Sequence, residues 1–190
     1  MKGIRGILLP WTIIFAFLAI VFTAFNQQQS TDHNREAGKE PSLPDSLHPV
    51  VEEKKDILLE RSREKGIRVV ITDTVRSIEE QNQLYEQGRS DNGNIVTNAR
   101  GGESYHNYGL AIDYALADES GNLLWDIHYD GNENGKSDWR EVAAIAKELG
   151  FTWGGDWQRF PDYPHLQMEF GLSIRELQNG ERPEIDKNGQ

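Results

Sequence analysis

Cysteine is absent from this chain of 190 residues. Its absence excludes disulfides, a zinc–thiolate centre and a lipid attached through an N-terminal cysteine, without assigning a compartment. Basic residues are scarce: 20 Lys and Arg stand against 31 Asp and Glu, for a formal net charge of −11. A surface of that sign does not neutralise phosphates, so nucleic acid is excluded as a non-specific partner. Hydrophobic residues make up 37%, which at this length allows one modest core with polar extensions. No internal repeat is visible.

Long apolar runs are lacking with one exception. Gly6 to Phe25, GILLPWTIIFAFLAIVFTAF, carries no charge and follows Lys2 and Arg5. About twenty apolar residues cross a bilayer as a helix, and Pro10 near the entry is tolerated. The run ends Val-Phe-Thr-Ala-Phe, a poor match to the small-residue pattern of a cleavage site. Residues 1–25 therefore read as an uncleaved membrane anchor, with a cleaved signal segment as the alternative. Both readings keep Lys2 and Arg5 inside and put the rest of the chain outside the cytoplasm: anchored to the membrane, or secreted if the segment is removed.

Residues 26–46 are polar and aperiodic, a flexible linker. A domain is expected over 47–171, followed by a polar, mostly disordered tail over 172–190. Within the domain, Val50, Val51, Ile57 and Leu58 keep a helical rhythm closed by Gly66. IRVVITD (67–73) reads as a strand. Ser77-Ile-Glu-Glu80 is a capping box that starts a helix reaching about Gln87. Leu110–Leu116 and NLLWDIHY (122–129) read as a hairpin. Val142, Ile145, Ala146 and Leu149 form the apolar stripe of a helix ended by Gly150, and HLQMEF (165–170) is the last strand. Mixed helices and strands with an antiparallel pair indicate a small single α+β domain, an antiparallel sheet flanked by helices.

Asp113 interrupts the apolar strand, and a buried carboxylate is costly unless paired, hydrogen-bonded or bound to a metal. His33, His48 and His128 have no partner at suggestive spacing, whereas His106 precedes Asp113 and Asp162 precedes His165. Residues seven apart on one strand face opposite sides, so His106 and Asp113 converge only if the chain bends, and Gly109 offers the bend. Two imidazoles and a carboxylate suit catalytic zinc, with a fourth position left for water; Asp162 could then move the proton. On spacing alone, a plain hydrogen bond between His106 and Asp113 competes with that reading.

Ser104-x-His106-x-x-Gly109-x-Ala111-x-Asp113, followed by Asp162-x-x-His165, resembles the signature of the D-alanyl-D-alanine carboxypeptidase (VanY-like, M15) metallopeptidases. The similarity runs from about Leu47 to Met168 through ITDTVRS, LYEQGR, NIVTNARGGESYHNYGLAIDYAL, DGNENGKSDW and GFTWGGDWQRFPDYPHLQM. Over that span it is most similar to the CwlK-type peptidoglycan L-alanyl-D-glutamate endopeptidases, a branch shared with phage endolysins. The resemblance implies His106, Asp113 and His165 as zinc ligands and Asp162 as the catalytic acid and base. It implies that Arg76 binds substrate and polarises the scissile carbonyl, with a surface salt bridge as the competing role, and that Ser104 either contacts substrate or hydrogen-bonds its own loop. It further implies an extracytoplasmic zinc peptidase acting on stem peptides of peptidoglycan. The alternatives are terminal D-alanine removal and, from another class, a non-catalytic cell-wall binding module.

A second pattern lies in Asp130-Gly-Asn132-Glu-Asn134-Gly135-Lys136-Ser-Asp138-Trp-Arg-Glu141, which fits the twelve-residue EF-hand loop for Ca2+. A strand candidate precedes it where an entering helix belongs. The competing reading is a polar loop in which Asp138 and Glu141 cap the next helix. Trp153 and Trp157, flanking two glycines, are expected to line a substrate groove, although aromatics at such positions also serve as core.

Overall fold

His48 and Pro49 start the first helix. The His48 Nδ1 accepts from the Val50 N–H at 3.3 Å, and Pro49 lacks an N–H that a first turn would leave unpaired. Helix α1 runs Pro49–Glu64 and buries Val51, Leu58 and Ser62. The structure, a computed structural model, describes residues 42–184. The segment 1–25, all but the end of the 26–46 linker, and the last six residues of the chain lie outside the described residues. Among the described residues no helix is long and apolar enough to cross a membrane.

After α1 come β1 (Val69–Asp73) and α2 (Ile78–Glu86). The expected capping box is present: Glu80 N–H donates to Ser77 Oγ at 3.1 Å, and Ser77 N–H to Glu80 Oε2 at 2.8 Å. A 3-10 turn (Tyr105–Tyr108) leads into β2 (Ala111–Ala117), followed by β3 (Leu123–Leu124), α3 (Asp138–Glu148), β4 (Thr152–Trp153), β5 (His165–Gln167) and α4 (Ile174–Gln178). The strands form one antiparallel sheet in the order β1-β2-β5-β4, with β3 beside β2. This is the small α+β domain that the sequence indicates.

Ile112, Tyr114 and Leu116 alternate along β2 and join Leu166 of β5, Val142, Ile145 and Ala146 of α3, and Val51 and Leu58 of α1 in one core. Removing each Leu, Ile or Val side chain among them from water contributes about 1.5–3 kcal/mol. The opposite face of β2 carries Asp113. β2 lies centrally in the sheet, so this carboxylate has a strand on each side: Asp73 of β1 and His165 of β5 are its cross-strand partners.

Two expectations are corrected. The hairpin partner of β2 is two residues long, because Asp126 Oδ1 accepts from His128 N–H at 2.9 Å and turns the chain out of the ladder. The tail after Gly171 is ordered as far as α4. There Ser173 and Glu176 make a capping box and Leu177 is buried in the core.

Candidate metal centre and active site

The 3-10 turn resolves the spacing problem of His106 and Asp113. Ser104 caps the turn, accepting from His106 N–H at 3.4 Å. Gly109 ends it at φ +67°, where a Cβ would meet Ser46 O at 2.6 Å. The chain reverses there and enters β2, so His106 folds back over Asp113. His165 is brought to the same point by direct pairing of β5 with β2.

The three side chains form a triangle. His106 Nε2, Asp113 Oδ1 and His165 Nδ1 lie 3.2 Å from one another along each edge. Ligands placed tetrahedrally about 2.0–2.1 Å from one ion stand roughly 3.3–3.4 Å apart, so the triangle has the size of a zinc site. Its outer contacts give it the right protonation as well. His106 Nδ1 is 2.5 Å from the Thr74 carbonyl oxygen, which accepts and never donates, so the proton sits on Nδ1 and Nε2 offers a lone pair inward. Neutral His165, bonded through Nε2 to Gln167 Oε1 at 2.8 Å, likewise turns a lone pair on Nδ1 inward. Two lone pairs and a carboxylate then face one another with no donor between them, and a cation answers that arrangement.

When no ion is bound, a proton on an imidazole facing Asp113 takes the cation's place. Burial alone would raise the Asp113 carboxyl, but hydrogen bonds and charge from His106 and His165 outweigh it and hold the group far below the usual range. Burial alone would lower the His165 imidazole, but Asp113 raises it. A site that draws protons onto a histidine when empty is one that a cation occupies with proton release.

Arg76 has a second duty beyond the expected one. Its Nε and Nη2 donate to Asp73 Oδ2 at 3.1 and 2.6 Å, and Nη2 donates to Asp113 Oδ2 at 3.2 Å. Arg76 thereby fixes the Asp113 carboxylate with Oδ1 toward the imidazoles. Its Nη1 donates to Oε1 of the fully buried Gln81 at 2.8 Å, and Gln81 Nε2 donates to the Ala99 carbonyl at 2.8 Å. These bonds leave one N–H of Nη1 over, and Arg76 lines the cleft described next.

An open cleft of about 840 Å³ exposes the triangle; Arg76, Ser104, Trp157 and Asp162 line it with His106, Asp113 and His165. Asp162 is half-buried, and burial followed by the Asp113 charge pushes its carboxyl up, against His165, His106 and Arg76. Gly154 makes room for it: a Cβ there would sit 2.5 Å from Asp162 O and 3.1 Å from His165 Cβ. The Trp157 ring lies 5.3 Å from that of His165 and is 37% exposed. Trp153 is different. It is buried in the core, its Nε1 donates to Tyr163 O at 2.8 Å, and it does not line the cleft; the Gly154–Asp156 turn carries the chain outward only after it.

Asp73, Thr74, Gln81 and Gln167 were not visible as site residues. Asp73 and Thr74 sit in the quoted ITDTVRS stretch, but nothing in their spacing distinguishes a carboxylate or carbonyl that orients another side chain.

The acidic loop is built otherwise. Asp130 accepts from Asn134 N–H and Gly135 N–H at 3.0 and 2.8 Å, and Gly135 takes φ +80°, the sharp turn an EF-type loop needs. Glu141 Oε2, however, accepts from Asn134 Nδ2 at 2.6 Å and Asn132 Nδ2 at 3.2 Å. Among the described residues, the set His106, Asp113 and His165 alone converges as a group of three metal-ligating His, Asp or Glu side chains; Asp130, Asp138 and Glu141 do not. Lys136 is exposed, with its N–H on Asn134 Oδ1. Ser137, and neither Asp138 nor Glu141, caps α3. Asp138 is 2% exposed; its Oδ2 accepts from Gly131 N–H at 3.0 Å and its Oδ1 has no partner.

A family model described as D-alanyl-D-alanine carboxypeptidase matches residues 97–168. The chain is 54% identical over 156 residues to the peptidoglycan L-alanyl-D-glutamate endopeptidase CwlK of Bacillus subtilis, covering 82% of this chain and 93% of that protein. It is 35% identical over 113 residues to the L-alanyl-D-glutamate peptidase of Listeria phage A118, covering 60% of this chain and 34% of the phage protein. The solved structure of the LdcB LD-carboxypeptidase matches with a TM-score of 0.50 at 21% identity, over 77% of this chain and 82% of that one, a likeness of fold. With a relative this similar over nearly its whole length, the chain belongs to the M15 peptidase family of D-alanyl-D-alanine carboxypeptidase-like hydrolases.

Proposed function

We propose that this peptidase hydrolyses the L-Ala–D-Glu bond of peptidoglycan stem peptides, as the name of its Bacillus relative states for that protein. The observation that carries the reading is the 3.2 Å triangle of two inward lone pairs and a carboxylate at the foot of an open cleft. M15 peptidases are zinc-dependent, and His106, Asp113 and His165 fit that ion in number, spacing and protonation. Zinc bound there supplies Lewis acidity and lowers the pKa of water.

The chain's own residues do the remainder. Asp162, with a raised carboxyl that gains and loses its proton nearer neutrality, takes the proton of the attacking water and returns it to the leaving amine. Arg76 presents its remaining Nη1 N–H to the carbonyl oxygen as negative charge develops. Ser104 and Trp157 line the path of the peptide. Wall digestion by the full-length chain, with mass spectrometry of the new ends, tests this: free amines on D-Glu are expected. Released D-alanine would instead establish the carboxypeptidase alternative, and binding without cleavage a non-catalytic module.

Two further parts belong to the same reading. Residues 1–25 act as a membrane anchor, or as a signal segment that is removed, and 26–46 as the linker, so that the domain faces the wall; the charge pattern around Gly6–Phe25 supports this. The Asp130–Glu141 loop takes Ca2+. In support, Gly135 N–H bonds to Asp130, the buried Asp138 leaves its Oδ1 unpartnered, and burial followed by the charges of Asp130 and Glu141 pushes its carboxyl up. Its role is structural, anchoring the start of α3.

A further inference from the structure

Successive residues of a strand alternate faces, so His165 and Gln167 of β5 point the same way. Both are buried, at 6% and 8% exposure. Gln167 Nε2 donates to Glu169 Oε1 at 2.8 Å, and Glu169 Oε2 is held by Thr152 Oγ1 at 3.1 Å. A carboxylate accepts hydrogen bonds and donates none. The amide therefore has its nitrogen toward Glu169 and its oxygen toward His165 Nε2, 2.8 Å away. That oxygen accepts as well, so the imidazole proton belongs on Nε2 and the lone pair on Nδ1, the atom in the triangle.

We infer that Glu169, acting through Gln167, selects the metal-binding tautomer of His165. The two histidines are fixed by unlike devices. His106 is bonded to the Thr74 backbone carbonyl, which cannot exchange acceptor for donor. His165 relies on a side-chain amide whose two ends have nearly the same shape, and the carboxylate of Glu169 is what distinguishes them. Without that charge, Gln167 can turn over, offer its NH2 to Nε2 and move the ring proton to Nδ1, into the triangle. Gln167 and Glu169 are positioning residues, since neither touches the cleft's reacting atoms. Partners in this position elsewhere alter metal affinity about 10–100-fold.

The inference rests on the zinc reading, yet one of its readouts does not. Long-range ¹H–¹⁵N spectra of the zinc-free full-length chain, at a pH where His165 is neutral, report the tautomer directly. The wild type is expected to show the proton on Nε2, and Glu169→Gln a mixture with Nδ1–H. Zinc competition against a chromophoric chelator should show about tenfold weaker binding for Glu169→Gln and about 10–100-fold for Gln167→Leu. Gln167→Glu, which still accepts from Nε2–H, should restore the tautomer and most of the affinity. A wild-type proton on Nδ1 would overturn the inference, as would folded Glu169→Gln with unchanged tautomer and zinc affinity within twofold of wild type. A wild type that shows Nε2–H but binds no zinc would sink the zinc reading alone.

Discussion

His106, Asp113 and His165 meet from a turn and two paired strands, whereas Asp130, Asn132, Asn134, Asp138 and Glu141 follow one another along a single loop. In the first region every outward contact of the ligands is already made: Thr74, Gln167 and Arg76 hold the three groups at 3.2 Å from each other. In the second, the amides of Asn132 and Asn134 occupy Glu141, and must turn away before their oxygens and the carboxylate can share an ion. The lesson concerns cost. A site built from the sheet has its ordering energy supplied by the core on the far face of the same strands, while a site on a loop draws it from the ion. The first should be rigid, tight and indispensable; the second should be responsive and dispensable for chemistry.

The comparison is broken most easily at the triangle. His106→Ala or His165→Ala should abolish stoichiometric zinc and lower wall hydrolysis by about 10³-fold or more, since the ion contributes several kcal/mol to the barrier. Elemental analysis and digestion assays read the two effects; a variant active at the wild-type rate would refute the assignment. Next in size, Asp162→Asn should keep zinc and lose about 10²–10⁴ in turnover. Because burial and Asp113 raise this carboxyl, wild-type activity should fall as pH drops through its raised pKa, with the acidic limb displaced upward. That limb should vanish in Asp162→Asn.

A smaller effect is expected at Gly154, where an added Cβ presses on Asp162 O. Gly154→Ala should cost about 1–3 kcal/mol of stability and reduce turnover without removing zinc. Coincident loss of the metal would mean that β5 as a whole had shifted.

The loop should give the smallest response. Calcium at a hundredfold excess over its dissociation constant stabilises the fold by about 2.7 kcal/mol. For a domain of this size that is a melting shift of about 5–10 °C. Magnesium should give less, and Glu141→Gln should reduce the shift with zinc content intact. Burial, with Asp130 and Glu141, raises the folded-state pKa of Asp138. Its protonated form is thus favoured by folding, and that stability is lost as pH rises through the raised value. Without calcium the melting temperature should decline over that interval; with calcium the decline should disappear. Calorimetry showing neither binding heat nor a shift would leave the loop as a plain connector.

Much of the first region was legible in the sequence because its parts are short-range signals. Asp113 inside an apolar strand, Gly109 as the bend and Asp162 three residues before His165 can all be read along the chain, and the bend is where the structure has it. The resemblance to M15 peptidases then joined segments that periodicity could not. What stayed hidden depends on cross-strand register. Arg76 reaches Asp113 because β1 pairs with β2, and Gln167 reaches His165 Nε2 because a three-residue strand keeps both on one face. Core and groove are both open for Trp153 and Trp157 in the sequence; the 3-10 turn between them puts the first in the core and the second in the cleft. The tail helix is hard to read because one buried leucine in a polar stretch is a weak periodic signal.

The central claim, that the fold supplies a finished zinc centre, is tested most directly by X-ray absorption at the zinc edge on the full-length chain carrying one equivalent of the metal. Two imidazole nitrogens with oxygen ligands in a four-coordinate shell at about 2.0–2.1 Å are expected, and that imidazole signal should be lost with the bound ion in His165→Ala. A six-oxygen shell in the wild type, or imidazole scattering unchanged by His165→Ala, would contradict it.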